Sequence, residues 1–390
     1  MPIINRIADF APEMTEWRQD LHRHPELGFE EHRTSDIVAA KLASWGIEVH
    51  RNIATTGLVG VLRNGSGRRS IGLRADMDCL AMEEQTGAPH ASTIPGRMHG
   101  CGHDGHTATL LGAAKYLAET RNFDGTIHFI FQPAEEGGGG GRVMVEEGLF
   151  ERFPCDQVYG IHNDPSLPLG ECSAVPGPVL AASDRIAITI RGIGGHAAKP
   201  HLAVDPVMVG AHVLVALQAI VARRVDPLHN AVLSITQFHA GSASNVIPDV
   251  AELKGTVRTL LPEVRDQMER LITQVATNTA AAHEATAEVV YSRLYPPTVN
   301  HPEEAVRAAR AAATVMGEAR VHRDRPPVMG GEDFSFMLNA RPGAFVFMGQ
   351  HGANKGGVPV HHPKYDFNDD MLPIGASYFA TLVEQEMPRG

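Results

Sequence analysis

Side chains that bind metal ions crowd into one short stretch of this chain. Met98-His99-Gly100-Cys101-Gly102-His103-Asp104-Gly105-His106 carries three imidazoles, a thiol and a carboxylate. Thiolate and imidazole are good ligands for zinc-like ions, and carboxylate suits harder ones. The glycines between them let the backbone turn sharply and come close to an ion. An apolar helical run, Thr107 to Leu117, follows at once and sets the ligands at a loop-to-helix junction.

Further carboxylates and imidazoles recur at the ends of short apolar runs. Ser70 to Ala75 leads into Asp76-Met77-Asp78. Thr126 to Phe131 delivers Gln132-Pro133-Ala134-Glu135-Glu136, and Gln157 to Ile161 ends on His162. Water activated by divalent ions becomes a nucleophile at neutral pH, and the ions polarise the carbonyl under attack. Such a site needs carboxylate and imidazole ligands, plus one carboxylate kept for proton transfer. Glu135 and Glu136 suit this division, because adjacent side chains diverge.

The elements that must position these groups follow from periodicity. Helices are predicted over Ile4 to His24 and up to Trp45, the second with Thr34 and Ser35 as candidate caps. Short apolar runs bounded by Gly read as buried strands at 58–62, 70–75, 126–131 and 157–161. Alternation of strands and helices predicts an α/β domain with a mostly parallel sheet and helices on both faces. In such sheets functional groups gather beyond the carboxyl ends of strands, where Asp76, Asp78, Glu135, Glu136 and His162 fall. The run Gly137 to Gly141 lacks the Lys and Ser/Thr of a phosphate loop and reads as a flexible connector.

From about Ser183 the pattern changes to alternating strands (185–191, 232–238, 251–259, 287–294) and two helices, one opened by Asp205-Pro206 and one by Pro262. Their βαββαβ order is ferredoxin-like. The expected organisation is a discontinuous catalytic domain, 1–183 and 297–390, with an inserted domain, 184–296. In the second part a helix over 303–316, a strand over 344–348 and a helix over 372–386 are predicted. Gly330-Gly331-Glu332-Asp333 and Val360-His361-His362-Pro363 lie in loops.

Composition narrows the partners. The 390 residues are 43 % hydrophobic and 20 % charged, with formal net charge −11. No Lys/Arg cluster stands out, which argues against nucleic acid and anionic membranes as partners. The N-terminus lacks the basic start and apolar core of a signal peptide. No apolar run is expected to cross a bilayer. Cys79, Cys101, Cys155 and Cys172 form no paired framework, so reduced thiols in a cytoplasmic protein are expected.

These stretches, with Gly160-Ile161-His162-Asn163, Gly194-Gly195-His196-Ala197-Ala198, Asn245-Val246-Ile247-Pro248, Gly330 to Phe334 and His361 to Asp369, resemble the M20 metallopeptidase family. The likeness is to its M20D amidohydrolase branch in particular, which holds hippurate hydrolases, N-acyl-amino-acid amidohydrolases (aminoacylases) and plant auxin-conjugate hydrolases. It spans almost the whole chain. It implies hydrolysis of the amide bond of N-acyl-amino acids, of hippurate or N-acetyl type, with a dipeptidase or a non-catalytic metal-binding protein of the same fold as alternatives. Two divalent ions per subunit are implied, zinc or manganese, with nickel or cobalt as further options. Their implied ligands are Cys101, His103, Glu136, His162 and His361. Glu135 resembles the general base, and Asp78 the carboxylate that orients a ligand. Asp76 falls where many members carry a ligating His, a departure that leaves the metal open. His99 and His106 read as supporting groups, and His362 competes with His361. The resemblance implies that the inserted domain is a lid and dimerisation surface of a homodimer or dimer-based oligomer. There His196 would donate to the oxyanion, and Asn245, Arg258 and Gly331 would hold substrate. Arg258 could equally pair within its own sheet.

Overall fold

The computed structural model describes residues 3–389. They form two compact units. The first comprises residues up to Gly177, Val299–Pro326 and Asp333 onward; the second comprises Pro178–Thr298 and Pro327–Glu332. The short segment Pro327–Glu332 belongs with the second unit because Val328 N–H donates to Val179 O and Ala181 N–H to Gly330 O. Gly331 therefore lies there too.

The first unit is organised by an eight-stranded sheet. Its order is Glu48–Ile53, Gly57–Asn64, Gly125–Gln132, Ser70–Asp76, Gln157–Pro168, Gly343–His351, Cys172–Ser173, Val321–His322. The strands from Gly125–Gln132 to Gly343–His351 run parallel. The Gly57–Asn64 side is antiparallel, as is the pairing of Gly343–His351 with Cys172–Ser173. Residues 71 to 76 are buried without alternation, the pattern of a strand covered on both faces. Helix Asn5–Arg23 buries Ile7, Phe10, Met14, Trp17 and Leu21 at helical spacing. It packs on the helix His103–Thr120, as does the helix Leu372–Glu386.

Several local expectations are corrected. Thr34 and Ser35 lie inside the helix His32–Ser44 and do not cap it. The Gly run is not a loose connector. Gly139 has φ +69°, and Gly140 opens the helix Gly140–Glu146 so close to the preceding turn that a Cβ would stand 1.8 Å from Pro133 O. His162 does not end its strand, which continues to Pro168. The neighbouring strand Ser70–Asp76 pairs with it only as far as Arg74 opposite Gly160, so His162 emerges level with Asp76, where that neighbour stops.

The second unit is a four-stranded antiparallel sheet, order Ala231–Ala240, Val250–Thr259, Ala182–Arg191, Thr286–Tyr295, with helices Pro206–Arg223 and Pro262–Ala281. This is the ferredoxin-like order. Asp205 caps the first of these helices by accepting from Val207 N–H at 2.9 Å. Val209, Val213, Leu217 and Ile220 of that helix join the unit's core. The helix is 18 residues long with a mean hydropathy of 1.6, long and apolar enough to cross a membrane by length and composition. That corrects the expectation that no run reaches such a length.

Candidate metal centre

The loop before helix His103–Thr120 shapes the site. Gly102 has φ +94°, and a Cβ there would stand 2.5 Å from Asn163 Oδ1 and Tyr365 Oη, so only glycine fits. The turn presents Cys101 and His103 toward the carboxyl ends of the parallel strands. Cys101 Sγ lies 3.4 Å from His162 Nε2. Donor atoms of Cys101, His103 and His162 come within 4.8 Å of one another, as do those of Cys101, Glu136 and His361, and of His103, Glu135 and Glu136. The first two groups share the thiol, and the last two share Glu136.

The geometry aims ligand atoms inward. His103 Nδ1 donates to Asp78 Oδ1 at 3.2 Å, and Nε2 is buried without a hydrogen-bond partner. Against desolvation, which lowers it, the charge of Asp76 holds this imidazole well above its usual value, so Nε2 must give up a proton to bind metal. His162 Nδ1 donates to Asn163 O at 2.8 Å and likewise turns Nε2 to the site. Burial pushes the His162 imidazole down to about 3, with neighbouring His106 lowering it further, so it is neutral as a ligand must be. Glu136 Oε1 is buried, and His361 Nε2 stands 3.2 Å away in ion-pair range. Against desolvation, which raises it, His361 holds the Glu136 carboxyl below its usual value. Burial raises the Cys101 thiol, and the charge of Glu136 adds to this. Hydrogen bonds to Cys101 and Glu136 raise His361 to about 10. A soft thiol, three imidazoles and a carboxylate, with orphaned buried donor atoms, fit divalent metal.

Asp78 also accepts from Glu136 N–H at 2.9 Å through its other oxygen, so one carboxylate orients two of these residues. Asp76 is fully buried, 2.8 Å from Arg74 Nη1 and 2.6 Å from His106 Nδ1. His106 Nε2 meets Asn163 Oδ1 at 2.7 Å. His361 takes φ +63°, and its N–H donates to Gly100 O at 2.8 Å, which ties its loop to the metal-binding stretch. His362 turns away, its Nδ1 accepting from Lys364 N–H at 3.0 Å. His99 is buried with both ring nitrogens unpartnered, and desolvation lowers it to about 4.

The remaining expected site residues lie in the second unit. His196 is exposed on a two-residue strand opposite Val246. Its Nδ1 accepts from Ala198 N–H at 3.0 Å, so the neutral ring carries its proton on Nε2, ready to donate. Asn245, also exposed, accepts from Ala197 N–H through its backbone oxygen at 3.0 Å. Arg258 does pair within its sheet, donating from Nη1 to Thr256 Oγ1 at 2.5 Å and to Val257 O at 3.2 Å. It also lines a concavity of about 600 Å³ with Ser183, Arg185, Lys254 and Ser292. Gly331 is exposed, and a Cβ there would meet Ser183 Cβ at 2.9 Å.

Periodicity did not reveal a polar network below the metal-binding loop. Arg18, on the buried face of the first helix, donates from Nε to Asp369 at 2.7 Å, and His22 Nδ1 meets Asp104 Oδ2 at 2.8 Å. Asp104 directly follows His103. The available signal was the presence of Arg18 and His22 at core-facing positions of an amphipathic helix.

The profile of peptidase family M20/M25/M40 matches residues 72–385. A hippurate hydrolase of Campylobacter jejuni is 41 % identical over 382 residues, covering 98 % of both chains. An N-acetylcysteine deacetylase of Bacillus subtilis is 38 % identical over 375 residues, covering 96 % of both. Among solved structures, a dinuclear metal-binding peptidase of the M20 family from Bacillus subtilis superposes with TM-score 0.85 at 34 % identity, over 97 % of this chain and 99 % of that one.

Proposed function

The chain belongs to peptidase family M20/M25/M40 and is a metal-dependent amidohydrolase, and on that premise we propose that it cleaves the amide bond of N-acyl-amino acids, hippurate or N-acetyl-amino acids, into a carboxylic acid and an amino acid. The observation that carries this reading is the clustering of Glu135 and Glu136 with His103. One carboxylate can bind metal there while its neighbour moves a proton. Two divalent ions, zinc or manganese, are assigned to Cys101, His103, Glu136, His162 and His361. When bound they supply Lewis-acid activation of water and of the scissile carbonyl.

The chain's own groups do the rest. Glu135 takes a proton from the attacking water as its oxygen bonds to the acyl carbon. It returns that proton to the amine nitrogen as the C–N bond breaks. Asp78 accepts from His103 and orients its ring so that it presents Nε2. Asn245, Arg258 and Gly331 are assigned to substrate; the guanidinium suits a carboxylate in a bidentate fork. The four buried free cysteines agree with a reducing, cytoplasmic setting.

A panel of hippurate, N-acetyl-amino acids and dipeptides, run on protein loaded in turn with Zn²⁺, Mn²⁺, Ni²⁺ and Co²⁺, tests the reading. Turnover is expected on the N-acyl-amino acids. Turnover on dipeptides alone, or on nothing, overturns it.

We assign His196 to the oxyanion, as an Nε2–H donor. A donor of this kind is worth about 100-fold or more in rate and acts mainly in the transition state. His196→Ala should therefore lower kcat by that order while KM and metal content change little. The exposed apolar side chains Val207, Met208 and Val215 on one helix of the second unit support a homodimer. If His196 serves the partner's site, mixing His196→Ala with Glu135→Gln subunits should restore activity. No recovery after confirmed subunit exchange excludes action across the dimer, and unchanged turnover in His196→Ala removes the oxyanion role.

A further inference from the structure

The carboxylate of Glu31 is fully buried and has none of the tasks assigned above. It occupies the N-cap position of the helix His32–Ser44 yet makes no capping bond. The amides of Arg33 and Thr34 donate instead to Glu26, at 2.9 and 2.8 Å. Relieved of capping, Glu31 faces the other way. One of its oxygens accepts from Thr56 Oγ1 at 2.5 Å and the other from the backbone N–H of Ala134 at 2.8 Å.

Ala134 immediately precedes Glu135. Its φ is +50°, in the left-handed region that residues with side chains rarely enter. The space around it is closed. A Cβ added to Gly28 would stand 2.9 Å from Ala134 Cβ, and one added to Gly138 would stand 2.7 Å away. Ala134 O accepts from Gly140 N–H at 3.0 Å. Between the two glutamates, Asp78 holds the amide of Glu136 at 2.9 Å. Glu135 thus sits between two clamped amides. Each clamp is a buried carboxylate accepting from a backbone N–H, Glu31 at Ala134 before the pair and Asp78 at Glu136 within it.

We propose that Glu31 is a positioning residue for the Glu135–Glu136 pair, whose carboxylate holds Ala134 in the left-handed turn that sends the two following side chains to separate tasks. This role presupposes the reading of Glu135 as base and Glu136 as ligand. Removing the acceptor would leave a buried N–H unpaired and a strained φ unsupported, and Ala134 would relax toward an ordinary conformation. The two glutamates would then shift together. A displacement of about 1 Å at reacting groups can cost on the order of 100-fold in rate.

The test uses Glu31→Ala, Glu31→Gln and the double variant Glu31→Ala/Ala134→Gly. Glu31→Ala should lower kcat by about 10- to 100-fold with little change in KM. It should also weaken Mn²⁺ binding to the metal-free protein, measured by calorimetry. Glu31→Gln keeps an oxygen for Ala134 N–H and an amide for Thr56, and should recover most of both. Gly at 134 adopts the turn without steric penalty, so the double variant should regain part of the loss. Unchanged kcat and Mn²⁺ affinity in Glu31→Ala overturn the proposal. So does an equal loss in the Ala and Gln variants that follows a lowered unfolding midpoint. The Mn²⁺ titration needs no substrate. If wild-type protein hydrolyses no N-acyl-amino acid, the functional reading fails, while the titration still decides the role of Glu31.

Discussion

Glu135→Gln should lower turnover by about 100- to 10,000-fold, the range that general acid–base groups contribute. Metal content should stay at the wild-type level. Gln is nearly isosteric with Glu and can hold hydrogen bonds, but it cannot take a proton from water and pass it to an amine. Glu135 is buried, so no bulk buffer replaces it readily. The measurement pairs kcat on the best N-acyl-amino acid with elemental analysis of the same sample. A near-wild-type rate with metal bound would remove Glu135 from proton transfer. Loss of metal together with rate would make it a ligand, since its carboxylate also falls within reach of His103 and Glu136.

Cys101→Ala should all but abolish both metal binding and activity. The thiol takes part in two of the donor groups, so its loss weakens both. Changes to groups that only orient ligands cost about 10- to 100-fold in affinity, and removal of a shared ligand should exceed that. Chelation of the wild type should inactivate it, and Zn²⁺ or Mn²⁺ should restore it. The pH dependence has a definite sign. In the metal-free protein burial keeps the Cys101 thiol protonated, and hydrogen bonds to Cys101 and Glu136 raise His361 to about 10. Both must lose a proton to bind metal, so affinity should rise with pH and binding should release protons. Calorimetry in buffers of different ionisation enthalpy measures that release. Cys101→Ala should release fewer protons. An affinity independent of pH would contradict the assignment of these two ligands.

Much of this was legible in the chain because it is local. Ligand chemistry resides in residue type, so Cys101, His103 and the Glu135–Glu136 pair stood out before any fold was known. The helix after the metal-binding loop and the buried strands before Asp76 and Glu135 follow from apolar spacing, which neighbouring residues impose on each other. The βαββαβ order of the second unit could be read the same way, most clearly in the strand Ala182–Arg191, whose buried and more exposed positions alternate.

What failed were inferences about how one segment meets its neighbours in space. Thr34 and Ser35 looked like caps, but Glu26 satisfies the amides and the helix starts earlier. The Gly run looked flexible because nothing local reveals that Pro133 O leaves no room for a Cβ at Gly140. Its strand does not mark His162 as terminal; the end of a neighbouring strand exposes it.

Taken alone, the amino-acid order determined which side chains could bind metal and move protons, and which segments were helix or strand. Only the tertiary structure decided how each was aimed. Asp78 accepts from His103 and orients its ring, Gly100 anchors His361, and Glu31 holds Ala134. The physical reason is that periodicity reports burial along one segment. A hydrogen bond between a buried carboxylate and an amide about a hundred residues away exists only once desolvation has forced each to find a partner.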